Sequence, residues 1–289
     1  MEKLNLEPQT KDELKSLLKI LASDFERNTC FTLVNDLGDI NTSKITDMSC
    51  IFDFKLVNCR IDLPNEFFNG IGKWDTSRVT TMRHMFSYCP SFNQPLNFNT
   101  SNVTDMGSMF LRCPSFNQPL NFDTSSVTDM SKMFWNCHSF NKSLKFNTSK
   151  VTNMSEMFFG CSSFNQPLNF DTSSVTDMSK MFYCCSSFNQ PLGFNTSKVI
   201  DMNRMFWRCT NFNQPLNFNT SNVTDMSSMF EYCYNFNQPL NFNTSNVTDM
   251  SRMFSYCYNF NQNLYFDTSS VEYTSEMFDN CPNLKFNNF

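Results

Sequence analysis

The chain repeats a 24-residue unit nine times, without insertion or deletion, from Trp74 to Phe289. Each unit carries a Met-Phe pair or its equivalent, and the phenylalanines of these pairs are Phe86, Phe110, Phe134, Phe158, Phe182, Phe206, Phe230, Phe254 and Phe278. A fixed period of about 20–50 residues is typical of solenoids, in which each turn of chain buries its apolar side only against its neighbours. The period therefore predicts nine stacked coils in residues 74–289.

Within one unit, eight apolar positions recur from repeat to repeat. In the second unit they are Phe98, Val103, Met106, Met109, Phe110, Cys113, Phe116 and Leu120. Spacings of three and four between Val103 and Cys113 predict a short helical turn, which Asp105 would cap. The run from Phe116 to Phe122 reads as extended, although a proline within it limits strand pairing. The pattern predicts an α/β repeat solenoid with short parallel strands and short helical turns.

The N-terminal part does not follow the repeat. We expect a cap in residues 1–36, with a helix at about 11–26 because Thr10 and Glu13 form a capping-box pattern ahead of leucines at helical spacing. A short strand is predicted at Cys30–Val34. Residues 37–73 resemble one irregular repeat: 34 residues separate Phe52 from Phe86, so ten extra residues lie within 53–72. The predicted helix would cover the apolar end of the first coil.

Three polar or sulfur-bearing columns recur with the same period. Stacked asparagines (Asn93, Asn117, Asn141, Asn165, Asn189, Asn213, Asn237 and Asn261) are expected to bond from coil to coil. A Thr-Ser pair recurs from Thr76 to Thr268 and favours polar corner turns. The cysteine column (Cys89, Cys113, Cys137, Cys161, Cys185, Cys209, Cys233, Cys257 and Cys281) is read most simply as small buried hydrophobic residues, with disulfide pairing and metal binding as alternatives.

Composition argues against several classes of function. The net charge is −5 and only 17% of residues are charged, so no basic stripe is present to bind nucleic acid. The sequence contains no run of about 18 apolar residues, so no membrane-spanning helix is predicted. The first ten residues lack the apolar segment of a secretory signal, and the chain as written reads as cytoplasmic.

The sequence predicts no catalytic residue, no cofactor and no metal site. The two histidines, His84 and His138, occupy variable positions of different repeats and are expected to be exposed. Only six glycines are present, and they form no phosphate-binding loop. A column of aspartates, which includes Asp105, could suggest calcium, but Thr81, Asn153 and Tyr273 interrupt it, so capping is the preferred interpretation.

The candidate binding surface follows the Met-Phe pairs. Positions one, two or four residues after the pair are rich in aromatic side chains: Tyr88, Trp135, Phe159, Tyr183, Trp207, Tyr232, Tyr234, Tyr256 and Tyr258. Tyrosine and tryptophan are favoured at protein contacts because they combine a large rigid area with a polar tip. The alternative is that these rings merely stack on one another between coils.

A second candidate surface lies in the last repeat. No polar capping helix follows it, and Leu284, Phe286 and Phe289 would form an apolar end. This arrangement predicts self-association, most simply as a homodimer.

The motif V-T-D-M-S-x-M-F-x-x-C-x-x-F-N-Q-P-L resembles the Met-Phe-Cys subclass of the BspA-like leucine-rich-repeat proteins, a domain of unknown function. Its clearest copies are residues 103–120, 175–192 and 223–240. The resemblance implies a curved, right-handed solenoid, a place on the cell surface and a role in adhesion. The family has no attributed catalytic residues. The leading hypothesis is thus a non-enzymatic scaffold that binds a protein partner, with a self-assembling structural protein as the alternative. A third hypothesis, ice binding, rests on the threonine column.

Overall fold

The computed structural model describes residues 6–26, 34, 36–53, 55–56, 59–60 and 63–285. Its one α-helix in these ranges, α1, is Lys11–Glu26. Short 3-10 helices follow at Leu37–Asp39, Asn65–Phe68 and Ile71–Lys73. Strands β1 (Lys55–Leu56) and β2 (Cys59–Arg60) pair antiparallel, and this hairpin lies where the ten extra residues were expected.

Helix α1 covers the residues expected from the capping box. The Thr10 hydroxyl accepts from the Glu13 amide at 3.2 Å, which satisfies one amide of the first turn. Lys11 forms an ion pair with Asp47 at 3.1 Å, and the Lys15 ammonium donates to the Cys50 carbonyl at 2.8 Å. These bonds fix the helix against the first irregular repeat. Residues 30–33 of the predicted strand lie outside the described residues, and Val34 is buried without belonging to a strand.

Successive 24-residue units, here called layers, lie on one another in register. Thr81 forms a parallel bridge with Asp105, and Asp105 forms the next with Asp129. Around the first bridge the Thr104 amide donates to the Thr80 carbonyl at 2.9 Å, and the Met82 amide donates to the Asp105 carbonyl at 3.0 Å. The same bonds recur along the chain as far as Tyr273. Each unit therefore returns the chain to the same place one layer along.

The predicted helical turn is wrong. Within the described part of the repeats, residues 74–285 contain overlapping β-turns and no helix. The Met109 amide donates to the Met106 carbonyl, and both Ser108 and Arg112 have φ of 57°, in the left-handed region that an α-helix excludes. The cause is competition for amides: Ser108 and Phe110 donate to the next layer, at 2.8 and 2.9 Å to Ser131 and Met133, so they cannot close helical bonds.

The predicted strand is reduced to isolated contacts. In the Phe-Asn-Gln-Pro-Leu segment, Leu96 bridges Leu120 and Leu168 bridges Leu192, each as a single parallel pair. Pro119 and its counterparts have no amide hydrogen, so a longer ladder cannot form there.

The core is built from columns of phenylalanine and methionine. Phe110 stacks on Phe116 of its own layer with ring centroids 4.1 Å apart, and on Phe134 of the next layer at 5.7 Å. Both rings of each such pair are fully buried from the first full layer to the eighth. Because a layer contacts mainly the layers on either side, the apolar core runs as a continuous spine along the stack.

Polar columns bind the layers together at the corners. The backbone amide of Asn117 donates to the side-chain oxygen of Asn93 at 2.9 Å, and the bond recurs down the column. The predicted asparagine ladder is therefore confirmed. The Thr100 hydroxyl donates to the Asp123 carbonyl at 2.9 Å. That threonine is 1% exposed, as are its counterparts up to Thr244. This column therefore offers no exposed threonine array, which removes the basis for the ice-binding hypothesis.

The column cysteines are thiols placed in the core. The Cys113 thiol donates to the Phe86 carbonyl at 2.9 Å, and the same bond recurs in the layers that follow. Burial raises the pKa of Cys113 to about 12 and that of Cys161 well above its ordinary value. Each thiol thus fills apolar space and satisfies one carbonyl oxygen of the preceding layer.

Candidate functional site

The turn run that replaces the expected helix also orients the candidate binding residues. The first and second positions after each Met-Phe pair lie at the end of this run, and the second position always has a left-handed φ, for example 62° at Tyr88 and 57° at Arg208. The Tyr88 amide donates to the Leu111 carbonyl at 2.7 Å, so the turn is anchored to the next layer. Side chains at these two positions therefore share one edge of the stack.

The aromatic residues on this edge form a nearly continuous column. We call it the aromatic strip, and it comprises Tyr88, Arg112, Trp135, Phe159, Tyr183, Trp207, Arg208, Tyr232 and Tyr256. Phe159 stacks on Trp135 at 4.9 Å and on Tyr183 at 4.2 Å. Tyr183 continues to Trp207 at 4.2 Å. The structure thus brings together all seven predicted aromatic residues of the first two positions.

The strip changes position twice, and an arginine lies at each change. Its rings occupy the second position in the first layer, the first position in four central layers, and the second position again from Tyr232. The Arg112 guanidinium lies 5.2 Å from the Tyr88 ring centre and 5.1 Å from that of Trp135. Arg208 lies 5.0 Å from Trp207 and 5.3 Å from Tyr232. Cation–π contacts of this kind carry the strip across the two changes.

Two glutamates hold the tryptophans. The Trp135 indole donates to Glu156 at 3.1 Å, and the Trp207 indole donates to Glu231 at 2.9 Å. Each glutamate comes from the next layer, and Glu231 is 8% exposed. The indole N–H of each tryptophan is therefore already hydrogen-bonded within the protein.

Stacking leaves the central rings with their edges toward solvent. Every aromatic residue of the strip is partly exposed, and Phe159 and Tyr183 each have both faces against neighbouring rings, whereas Trp207 and Tyr232 meet edge to face. Tyr234 and Tyr258 form a second short stack at 4.9 Å beside Tyr232 and Tyr256. Tyr258 is the most exposed of the candidate rings, at 41%. The predicted alternative, stacking between coils, is thus observed, and it accompanies a solvent-facing edge.

A surface pocket of about 350 Å³ adjoins the strip. Cys184, Ser186, Arg208, Thr210 and Tyr234 line it. It lies beside the part of the strip in which the rings occupy the first position and Cys184 fills the second.

The other sequence-predicted residues have no common site with the strip. Leu284 is half-buried and packs on the last part of the core, whereas Phe286 and Phe289 lie outside the described residues. His138 is exposed as expected. His84 is half-buried instead, and burial lowers its pKa, helped by the charge of Arg83. It contacts the Ser87 hydroxyl at 3.4 Å.

The aspartate column caps turns rather than helices. The Asp129 carboxylate accepts from the Ser131 amide at 2.7 Å, and Gly107 donates to Asp105 in the same way at 2.8 Å. Among the described residues, no group of three or more acidic, cysteine or histidine side chains is arranged to hold a metal ion. The described residues also include no helix long and apolar enough to cross a membrane.

Sequence reasoning missed Arg112, Arg208, Glu156 and Glu231. These residues occupy variable positions, and no periodic signal singles them out. The one sequence signal that could have identified them is their charge, which occurs next to aromatic positions of adjacent repeats. It could be interpreted only once the register of the layers was known.

Comparison with protein families gives a match over most of the chain. The matching family is described as a Mycoplasma protein of unknown function, DUF285, and it aligns with residues 19–121, 60–146, 144–217 and 216–288. No curated protein and no solved structure matches the chain. The overlapping matches agree with the tandem layers, and the chain belongs to the DUF285 family of unknown function.

Proposed function

We propose that this protein is a non-enzymatic interaction scaffold, a solenoid of the BspA-like leucine-rich-repeat type, whose aromatic strip binds a protein partner. The observation that carries the proposal is the partly exposed stack of rings and guanidinium groups from Tyr88 to Tyr256. A location on the cell surface, which the family resemblance implies, belongs to the same proposal.

The rigidity of the strip supports a binding role. Contact surfaces favour tyrosine, tryptophan and arginine because these side chains supply a large contact area around a few anchors. Ordering a long side chain on binding costs about 0.5–1.5 kcal/mol. Here Phe159 is held between Trp135 and Tyr183, and Trp207 is also held by Glu231. Much of that ordering is already complete before a partner arrives.

The proposal is tested by removing ring edges without uncovering a buried carboxylate. Trp135 and Trp207 are unsuitable alone because their loss would leave Glu156 and Glu231 without indole donors. We therefore choose the double variant Phe159→Ala with Tyr183→Ala. The matched control is Tyr265→Ala with Tyr273→Ala, which removes two rings that are 78% and 59% exposed away from the strip.

The measurement is affinity capture from the native source, followed by binding of the identified, purified partner by calorimetry. We expect the strip variant to lose at least about tenfold in affinity, which corresponds to about 1.4 kcal/mol, and the control to bind as the wild type does. Circular dichroism melting verifies that both variants are folded. Equal binding by the folded strip variant and the wild type would refute the proposal.

A further inference from the structure

We propose that the aromatic strip recognises a carboxylate-rich segment of its protein partner. This inference rests on the proposed function and specifies the chemistry of the partner. Its basis is the positive charge beside the strip, which contrasts with the net charge of −5 for the whole chain.

Four cations beside the strip form no ion pair with any carboxylate of the described residues. Arg112, Arg204 and Arg208 are exposed, and Lys180 is partly exposed. Within the described part of the chain, ion pairs involve Lys132 and Arg252 on this edge but none of these four residues. Arg204 lies close enough to Tyr183 to lower the pKa of its hydroxyl against the larger, opposing effect of burial.

Apart from Asp279 of the last layer, which is exposed, the carboxylates on the same edge are withdrawn from solvent or paired. Glu156 accepts from Trp135 and lies 3.6 Å from the Lys132 ammonium. Glu231 is buried against Trp207. Glu276 is paired with Arg252 at 2.8 Å. A partner that approaches the central strip therefore meets positive charge.

The orientation of the rings favours the same ligand. An aromatic ring is negative on its faces and positive at its edge. Because the faces of Phe159 and Tyr183 are occupied by neighbouring rings, their positive edges point outward. Carboxylates match such edges. Single-stranded nucleic acid, by contrast, binds by stacking bases on free ring faces, which the central strip does not provide.

The pocket beside Arg208 has the donors that a carboxylate side chain requires. Its lining combines the Arg208 guanidinium with the Tyr234 hydroxyl, whereas the Ser186 and Thr210 hydroxyls already donate to backbone carbonyl oxygens of the preceding layer, at 3.4 and 3.3 Å. A guanidinium can bind a carboxylate through two parallel hydrogen bonds. Arg208 already contacts two rings, so it is partly ordered for this role.

The test uses fluorescence anisotropy with a labelled decapeptide of glutamate, a decapeptide of glutamine as the neutral probe, and an oligothymidine of equal length. The arginine variant is Arg204→Gln with Arg208→Gln. The matched control is Lys150→Gln with Lys198→Gln, which removes the same charge from exposed positions of another column. We expect the wild type to bind the glutamate peptide in preference to both other probes, and binding to weaken at high salt.

The arginine variant should weaken glutamate-peptide binding about tenfold, the effect of two exposed charges, while the control stays within about twofold. Three outcomes would overturn the inference: the wild type fails to bind the glutamate peptide, the arginine variant binds it as well as the wild type does, or the wild type prefers oligothymidine. These outcomes are separable from failure of the proposed function. If the identified partner needs Phe159 and Tyr183 but not Arg204 and Arg208, the scaffold role stands and the acidic chemistry is wrong.

Discussion

Arg83 reaches across two layers to Asp129, with 3.0 Å between its Nη1 atom and the carboxylate oxygen, and it passes Asp105 at 3.4 Å on the way. The guanidinium lies where Gly107 has no side chain. A Cβ atom at Gly107 would lie only 2.5 Å from Arg83 Nη1. The glycine thus leaves room for one cation to neutralise two stacked carboxylates.

Gly107→Ala should displace Arg83 and lower stability by up to about 1 kcal/mol, the usual limit for half-exposed ion pairs. The measurement is urea unfolding at low salt. Gly193→Ala is the matched control because a Cβ there meets no atom within 4 Å. The difference between the two variants should shrink in 1 M salt, where charges are screened. A difference that persists unchanged in salt would assign the effect to packing instead.

The phenylalanine spine should be most sensitive at its centre. Phe158 is fully buried and stacks on Phe134, Phe164 and Phe182. Phe158→Ala should cost about 3–5 kcal/mol, the range for a buried phenylalanine. Phe278→Ala, in the last layer, removes an equivalent but half-buried ring and should cost clearly less. Chemical unfolding of both variants measures the difference, and equal losses would contradict a spine whose energy depends on two flanking layers.

The buried thiols predict a steep loss of stability in alkali. Burial raises the pKa of Cys113 to about 12 and raises those of Cys137, Cys161 and Cys185 well above the ordinary value of 9.0. The unfolded chain releases these protons above about pH 9 while the folded chain keeps them. Stability is therefore complete below pH 9 and falls as pH rises, by up to about 1.4 kcal/mol per thiol per pH unit.

The measurement is the urea midpoint between pH 7 and pH 11 under reducing conditions. The double variant Cys161→Ala with Cys185→Ala should start less stable but lose stability with a shallower slope. A midpoint that stays constant up to pH 11 would show that these thiols are accessible to solvent.

Replacing Asp201 with asparagine should stabilise the folded protein at neutral pH. Burial raises its pKa, and the carboxylates of Asp225 and Asp177 in the adjacent layers add to the effect. The folded state thus favours the protonated form, so stability is lost as pH rises through the folded pKa. Asp201→Asn keeps an oxygen for the Asn203 amide and should gain about 0.5 kcal/mol at pH 7, after allowance for solvent screening.

The gain should disappear near pH 3, where Asp201 is protonated. Asp123→Asn is the control of opposite sign, because hydrogen bonds from Ser125 lower the pKa of Asp123 and favour its charged form. That variant should gain nothing at pH 7. Thermal unfolding at the two pH values measures both variants. A gain for Asp201→Asn that is equal at pH 3 and pH 7 would exclude an electrostatic cause.

The register of the layers could be derived from the sequence because identical residues recur at one exact period. The columns of Asn117 and Cys113 follow directly from that period. The local conformation could not be derived. Spacings of three and four fit a helix and also fit a series of turns, and the choice depends on whether amides such as that of Ser108 bond within the layer or to the next one.

The candidate site was predictable in part for the same reason. Aromatic residues near the Met-Phe pair indicate a shared edge once the layers are aligned. The contact of Arg112 with Tyr88 and Trp135 depends on side chains from three layers and on a shift by one position. No period in the sequence encodes such a shift, so this part of the site follows only from the three-dimensional structure.

The left-handed residues of the turn run restrict how this edge can diversify. Two positions in every repeat adopt this conformation, one two residues before and one two residues after the phenylalanine of the Met-Phe pair. Across all nine repeats they hold a varied set of residues, yet never valine, isoleucine, threonine or proline. Branching at Cβ is poorly tolerated at such angles. New binding specificities can therefore arise there only through side chains that are not branched at Cβ, so the backbone conformation limits which residues can evolve at this edge.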